Sequence, residues 1–149
     1  MKIAKFDIRL IKESETDYQA IDNEKITNPI TAGDFFRKIF QMEQRGQEIL
    51  AMATLDTKNN ISGVFEVHKG GLSSSIVEPR TVFQRAILQN AAAIILCHNH
   101  PSGDPQPSSE DISITKKLQK GGKILGIKVL DHIIIADDKT VSLQEKDLM

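Results

Sequence analysis

Cysteine is nearly missing from this sequence. Cys97 stands alone among 149 residues, so no internal disulfide can form and nothing points to an oxidising compartment. An excess of charge is missing too, since 19 basic and 20 acidic side chains leave a net charge of -1. No global field therefore draws the chain onto nucleic acid or a membrane surface. Apolar runs fall well short of the ~20 residues that span a bilayer. The first residues, Met1 to Asp7, alternate charged and apolar side chains and lack the continuous apolar stretch of a signal peptide. Internal repeats, low-complexity tracts and an interdomain linker are also absent from the sequence. These absences leave the cytoplasm as the expected location and one compact domain as the expected organisation.

What is present is a hydrophobic pattern that changes period along the chain. Residues 3–12 alternate, with Ala4, Phe6, Ile8 and Leu10 on one face, and predict a first strand that could pair with a partner chain. A polar excursion follows over 13–28. Phe35, Phe36, Ile39 and Phe40 then fit an amphipathic helix that ends near Gly46. Glu48 to Asp56 is apolar on both faces, as a central strand should be, and after the turn at 57–60 a second strand runs from Ile61 to His68. Gly70-Gly71 and Ser73 to Ser75 mark a bend. Pro79 opens a helix whose expected buried face is Val82, Phe83, Ala86 and Ile87. A strand over Ala91 to Cys97 leads through a proline-rich loop to a helix that begins near Ser108 and fades at Gly121-Gly122. One further strand over 127–136 and a last short one near Val141 complete the pattern. The expected fold is a mixed α/β sandwich, a central sheet with helices packed on it.

The chemistry lies where the buried strand ends. His98 and His100 are two residues apart, so strand geometry sends both imidazoles to one face. Asp111 falls in the first turn of the next helix, and the loop can fold it back toward the strand end. Two histidines and a carboxylate leave a tetrahedral zinc with an open position for water, the pattern of a catalytic site. Zinc would bring that water's pKa from ~15.7 to about 7. Hydrolysis also needs a base and a donor for the developing oxyanion. Ser108 is the candidate donor, although Ser108-x-x-Asp111 also reads as a helix capping box and can serve both roles. Glu48 is the candidate base, since it stands at the mouth of an apolar strand where packing needs no acid. Glu66 on the adjacent strand is its rival, and a surface ion pair is the plain alternative for either.

His98-x-His100-Pro101, then Ser108-x-x-Asp111 with seven residues between His100 and Ser108, resembles the JAMM (MPN) metalloprotease motif. The segment HNHPSGDPQPSSEDISITKKL, with LDHIII after it, is more closely similar to the RadC family of bacterial MPN-domain proteins. The resemblance runs from about Ile26 to the C-terminus and takes in QEILAMATLDTKN and SSSIVEPRTVFQRAILQNAAA. It implies a cytidine-deaminase-like α/β fold, one zinc per chain on His98, His100 and Asp111, and Glu48 as general acid and base. It also favours Glu48 over Glu66. Asn99 replaces the Ser or Thr of eukaryotic deubiquitinating relatives, as is usual for RadC proteins. Glu78 stands where those proteins commonly carry His before Pro-Arg. Residues 1–25 are read as an extension outside the match. The helix-hairpin-helix region of full-length RadC proteins has no counterpart there, so its DNA-targeting role is expected to be absent.

Other residues carry plainer readings. His132 is expected to be a buried, hydrogen-bonded structural histidine rather than a partner of the metal ligands. His68 is expected to be an exposed strand-end residue, and Cys97 a core residue facing away from His98. Lys116, Lys117, Lys120, Lys123 and Lys128 read as a solvated helix surface, because no aromatic residue interleaves to stack on bases. The string His98-Asn99-His100 is not an HNH nuclease, whose three letters come from distant positions. The leading function is a zinc-dependent hydrolase of peptide or isopeptide bonds. A DNA-repair-associated accessory protein of the RadC type, bound to DNA and independent of zinc, is the rival from another class. A metal-binding scaffold without activity is the third.

Overall fold

Two strands buried along their whole length form the spine of the molecule. The computed structural model describes residues 1, 3–5, 7–15, 26, 28–71 and 77–149. In it β1 (Ile49–Leu55) and β3 (Ala93–Asn99) have no exposed position. Apolar runs such as ILAMATL are accommodated only in the middle of a sheet covered on both faces. The sheet has five strands, in the order β2 (Ile61–Lys69), β1, β3, β4 (Lys128–Ala136), β5 (Lys139–Ser142). Neighbours are antiparallel except β3 and β4. A hairpin cannot join a parallel pair, so the chain crosses over through α3 (Ser109–Leu125). That crossover brings the start of α3 back over the end of β3.

Side-chain alternation divides the core into two layers. Ile49, Ala51, Ile95 and Cys97 pack with Phe35 and Phe36 of α1 (Pro29–Phe40). Leu50, Met52, Ile94 and Leu96 pack on the other face with Val82 and Phe83 of α2 (Pro79–Leu88) and with Leu118 of α3. Helices thus cover both faces of a mixed sheet, which is the α/β sandwich the sequence predicts.

Five local expectations are corrected. Residues 3–5 and 7–12 form no strand; Ile8 is 70% and Ile11 86% exposed. Their alternation supplies a face, but they pair with neither edge strand of the sheet, β2 or β5, and the hydrogen bonds among the described residues there are local, such as Arg9 to Asp7 at 2.8 Å. Helix α1 stops at Phe40, because Gln41 turns into the left-handed region at φ 52°, and a 3₁₀ turn over Met42–Gln44 follows. Ile87 is 55% exposed, since the short α2 buries only the narrow stripe of Val82, Phe83 and Ala86. Gly121-Gly122 does not end α3, which continues to Leu125 and closes on Gly126 at φ 73°. His68 is half-buried opposite Leu50. The serine bend and much of the polar excursion over 13–28 lie outside the described residues.

The glycine pair serves packing. A Cβ at Gly122 would collide with the Ile127 carbonyl oxygen, whereas one at Gly121 would meet the edge of the Phe83 ring at 3.1 Å. Gly122→Ala is therefore expected to lower stability by about 2–3 kcal/mol. Gly121→Ala, where a helix-propensity gain of ~1 kcal/mol offsets a mild clash, should change little. Urea-denaturation midpoints of the two variants test this. A Gly122→Ala protein as stable as the parent would remove the packing argument.

Candidate metal centre

Parity along β3 decides which residues can meet. Ile94 and Leu96 face α2 and α3, so His98 faces them too, and Cys97 falls in the α1 layer. His100 follows the same parity, since its amide extends the parallel pairing by donating to the Ile135 carbonyl at 2.8 Å. The α3 crossover then delivers Asp111 from above. His98 Nε2 lies 2.8 Å from His100 Nε2 and 3.2 Å from Asp111 Oδ1, and His100 Nε2 lies 3.4 Å from Asp111 Oδ2. The sides of that triangle are near the ~3.3 Å that separates ligand atoms bonded to one tetrahedral zinc at ~2.0–2.1 Å. The three residues form a group able to hold a metal ion.

Asp111 is oriented by the helix it starts. Ser108 Oγ accepts from the Asp111 amide at 3.1 Å, and Asp111 Oδ2 accepts from the Ser108 amide at 2.7 Å. This capping box satisfies two orphan donors of α3 and fixes the carboxylate rotamer, with Oδ1 turned to His98. Asp111 is only 2% exposed. Burial opposes its ionisation, but the hydrogen bond from His100, with His98 beside it, outweighs that and holds the carboxyl well below the usual carboxylate range.

A chain of hydrogen bonds sets the imidazole tautomers. Thr115 has one hydroxyl hydrogen, which it donates to the Asp111 carbonyl at 2.6 Å. Its oxygen therefore accepts from His132 Nδ1, also at 2.6 Å. Burial pushes His132 well below its ordinary pKa of 6.5, so its ring is neutral and Nε2 carries a lone pair. That lone pair accepts from His98 Nδ1 at 2.8 Å. Burial likewise lowers His98, against the pull of Asp111, and leaves a bare Nε2. His100 Nδ1 donates to the Asp104 carbonyl at 2.7 Å, so its Nε2 is the ligating atom as well. Asp111 raises the His100 pKa, and metal binding must displace that proton. Once that proton has left, two bare nitrogens and a carboxylate face one another, an arrangement that a cation between them relieves. The residues present fit a metal ion.

A sequence profile for the RadC-like JAB domain matches residues 26–148. The chain belongs to that family. A UPF0758 protein of Clostridium perfringens is 53% identical over 103 residues, covering 69% of this chain and 45% of the relative. One from Clostridium beijerinckii is 47% identical over 132 residues, 88% of this chain and 57% of its own length. One from Desulfitobacterium hafniense is 50% identical over 109 residues, 73% of this chain and 48% of its own. The chain thus spans about half the length of the curated relatives it matches.

The two carboxylates considered as the base of this RadC-like domain fall on opposite faces. Continuing the β1–β3 register from Leu50↔His98 sets Glu48 across from His100. Glu48 lines a cavity of about 260 Å³ together with His100, Ser108 and Asp111. Glu66 pairs with Ala51 of the α1 layer and binds Arg45 at 3.0 Å, away from that cavity. Ser108 sits at the α3 N-cap, its oxygen held by the Asp111 amide. Glu78 is exposed at the start of α2, 3.7 Å from Lys117.

His132 is buried and hydrogen-bonded as expected, and one of its two partners is His98, a candidate ligand, which the sequence reading had not paired with it. Thr115 was not predicted at all, although its place one helical turn after Asp111 was a usable signal. Thr115→Val keeps the volume and removes the acceptor for His132. Competition titration with a chelating dye should show zinc affinity falling by about 10–100-fold with the fold intact. Unchanged affinity would show that the relay does not set the His98 tautomer.

Proposed function

We propose that this domain is a zinc-dependent hydrolase of amide bonds, acting on a peptide or isopeptide through an activated water. One observation carries the reading: Glu48, Ser108, His100 and Asp111 line a single cavity. A base, a hydroxyl donor and the ligand set therefore share one space. Two imidazoles and a carboxylate suit zinc among the divalent metals available to nitrogen and oxygen donors. Bound there, the ion would supply a water acidified to near-neutral pKa and an electrophilic neighbour for the substrate carbonyl.

The protein's own residues account for the proton traffic. As the water oxygen bonds to the carbonyl carbon, the Glu48 carboxylate takes the proton released. When the carbon–nitrogen bond breaks, Glu48 returns that proton to the leaving nitrogen. Ser108 spends its oxygen on the Asp111 amide and keeps its hydroxyl hydrogen to donate to the carbonyl oxygen as charge develops. A scaffold without activity is less favoured, because Glu48 faces the cavity of the ligand set.

The DNA-accessory reading rests on the RadC resemblance and on the lysines along α3 and at the start of β4, all exposed. Lys117 faces Glu78, and the row is adequately explained as a solvated helix face. Among the described residues no helix is long and apolar enough to cross a membrane.

Glu48→Gln preserves shape and removes the base. With fluorogenic peptide and isopeptide-linked substrates, the zinc-loaded variant is expected to keep its metal and lose about 10²–10⁴-fold in kcat. A fully active Glu48→Gln protein would overturn the mechanism.

A further inference from the structure

Asn99 stands between the two histidines in sequence but has no part in the ligand set. It is 2% exposed, and parity turns it from the face that carries His98 and His100. Its Oδ1 accepts from the Ile49 amide at 2.8 Å, and its Nδ2 donates to the Gln47 carbonyl at 3.2 Å. Those two backbone groups flank Glu48. A longer contact of 3.5 Å reaches the Arg45 carbonyl.

The strand pairing explains why a side chain is needed here. The β1–β3 ladder runs from Leu55↔Ala93 to Leu50↔His98 and goes no further. At the next rung the Ile49 amide meets the Asn99 side chain in place of main chain. The carboxamide takes the place of the direct main-chain bond that a regular antiparallel rung would make. In a strand the carbonyl of one residue and the amide two positions on point to the same side, and a carboxamide carries the matching donor and acceptor in one plane. From the other side the Gly70 amide donates to the Glu48 carbonyl at 2.8 Å. The Glu48 backbone is thus gripped by β2 through Gly70 and by β3 through Asn99, just where the gap between Glu48 and His100 opens.

We propose that Asn99 is the positioning residue for Glu48: its carboxamide replaces a backbone rung and sets where that carboxylate stands relative to the metal ligands. The inference rests on the reading of Glu48 as the base. It follows that removing the carboxamide leaves metal binding in place and uncouples Glu48 from the metal.

The test follows the Glu48 carboxyl carbon by NMR in the full chain labelled with ¹³C-glutamate, the signal being assigned by its loss in Glu48→Gln. Zinc is titrated into wild type, Asn99→Leu and Asn99→Ser. In wild type the Glu48 signal is expected to move as zinc binds. In Asn99→Leu, which has the volume but no polar atom, zinc affinity should stay within about threefold, well short of the ~10–100-fold that follows loss of a ligand's own partner. The Glu48 response there should fall to less than half of the wild-type shift. Asn99→Ser keeps a short donor and acceptor and is expected to restore part of it; if Asn99→Leu does not fold, this variant's partial loss is the readout. A full wild-type response in both variants overturns the proposal alone. So does a fall in zinc affinity in step with the Glu48 response, which would make Asn99 a support of the ligands themselves. A wild-type Glu48 that ignores bound zinc removes the base assignment and this proposal together.

Discussion

A buried carboxylate and two imidazole nitrogens converge on one point, and their lone pairs repel one another unless a proton or a metal cation lies between them. Taking a carboxylate out of water costs several kcal/mol unless it is paired and hydrogen-bonded. Here Asp111 receives one amide from the α3 capping box and the histidines on its other side. The histidines cannot relax by flipping their tautomers. His100 is fixed by the Asp104 carbonyl, and His98 is fixed through His132 and Thr115 by the Asp111 carbonyl. The last relay closes on the helix that supplies the third ligand, so one turn of α3 both offers a ligand and dictates the protonation of another.

The fold delivers these groups through a small number of constraints. Full burial of β1 and β3 requires helices on both faces of the sheet. The parallel β3–β4 pair requires the α3 crossover and so places a helix N-terminus over the end of β3. Strand parity then divides the labour at that end. His98 and His100 face the cavity, while Asn99 faces the α1 layer and holds the start of β1. The loss of one ladder rung between β1 and β3 coincides with the place where a carboxylate and a ligand must stand apart.

Much of this was legible in the sequence because it depends on period and spacing. Apolar runs marked the central strands, and the two-residue interval between the histidines marked a shared face. The interval from His100 to Asp111 marked a loop that returns to the strand end. Other features depend on pairing across distant segments and carry no local signature. Residues 3–12 show a strand's alternation, yet alternation does not specify a pairing partner. Gly121-Gly122 looks like a helix stop, but close approach of Ile127 and Phe83 calls for glycine within the helix. His132 became the partner of His98, and Thr115 the partner of His132, only once β4 was set beside β3 and α3 was folded over both. Glu48 and Glu66 were separated by a bulged β1–β2 register, which their sequence positions alone do not show.

The central claim is that the ligand triangle binds one zinc ion. It is tested most directly by elemental analysis of protein purified without chelator, wild type beside His98→Ala, with circular dichroism to confirm that both are folded. The account predicts about one zinc per wild-type chain and loss of that zinc in the variant. A folded wild type that takes up no zinc even after reconstitution, or a variant that retains it in full, would contradict the account.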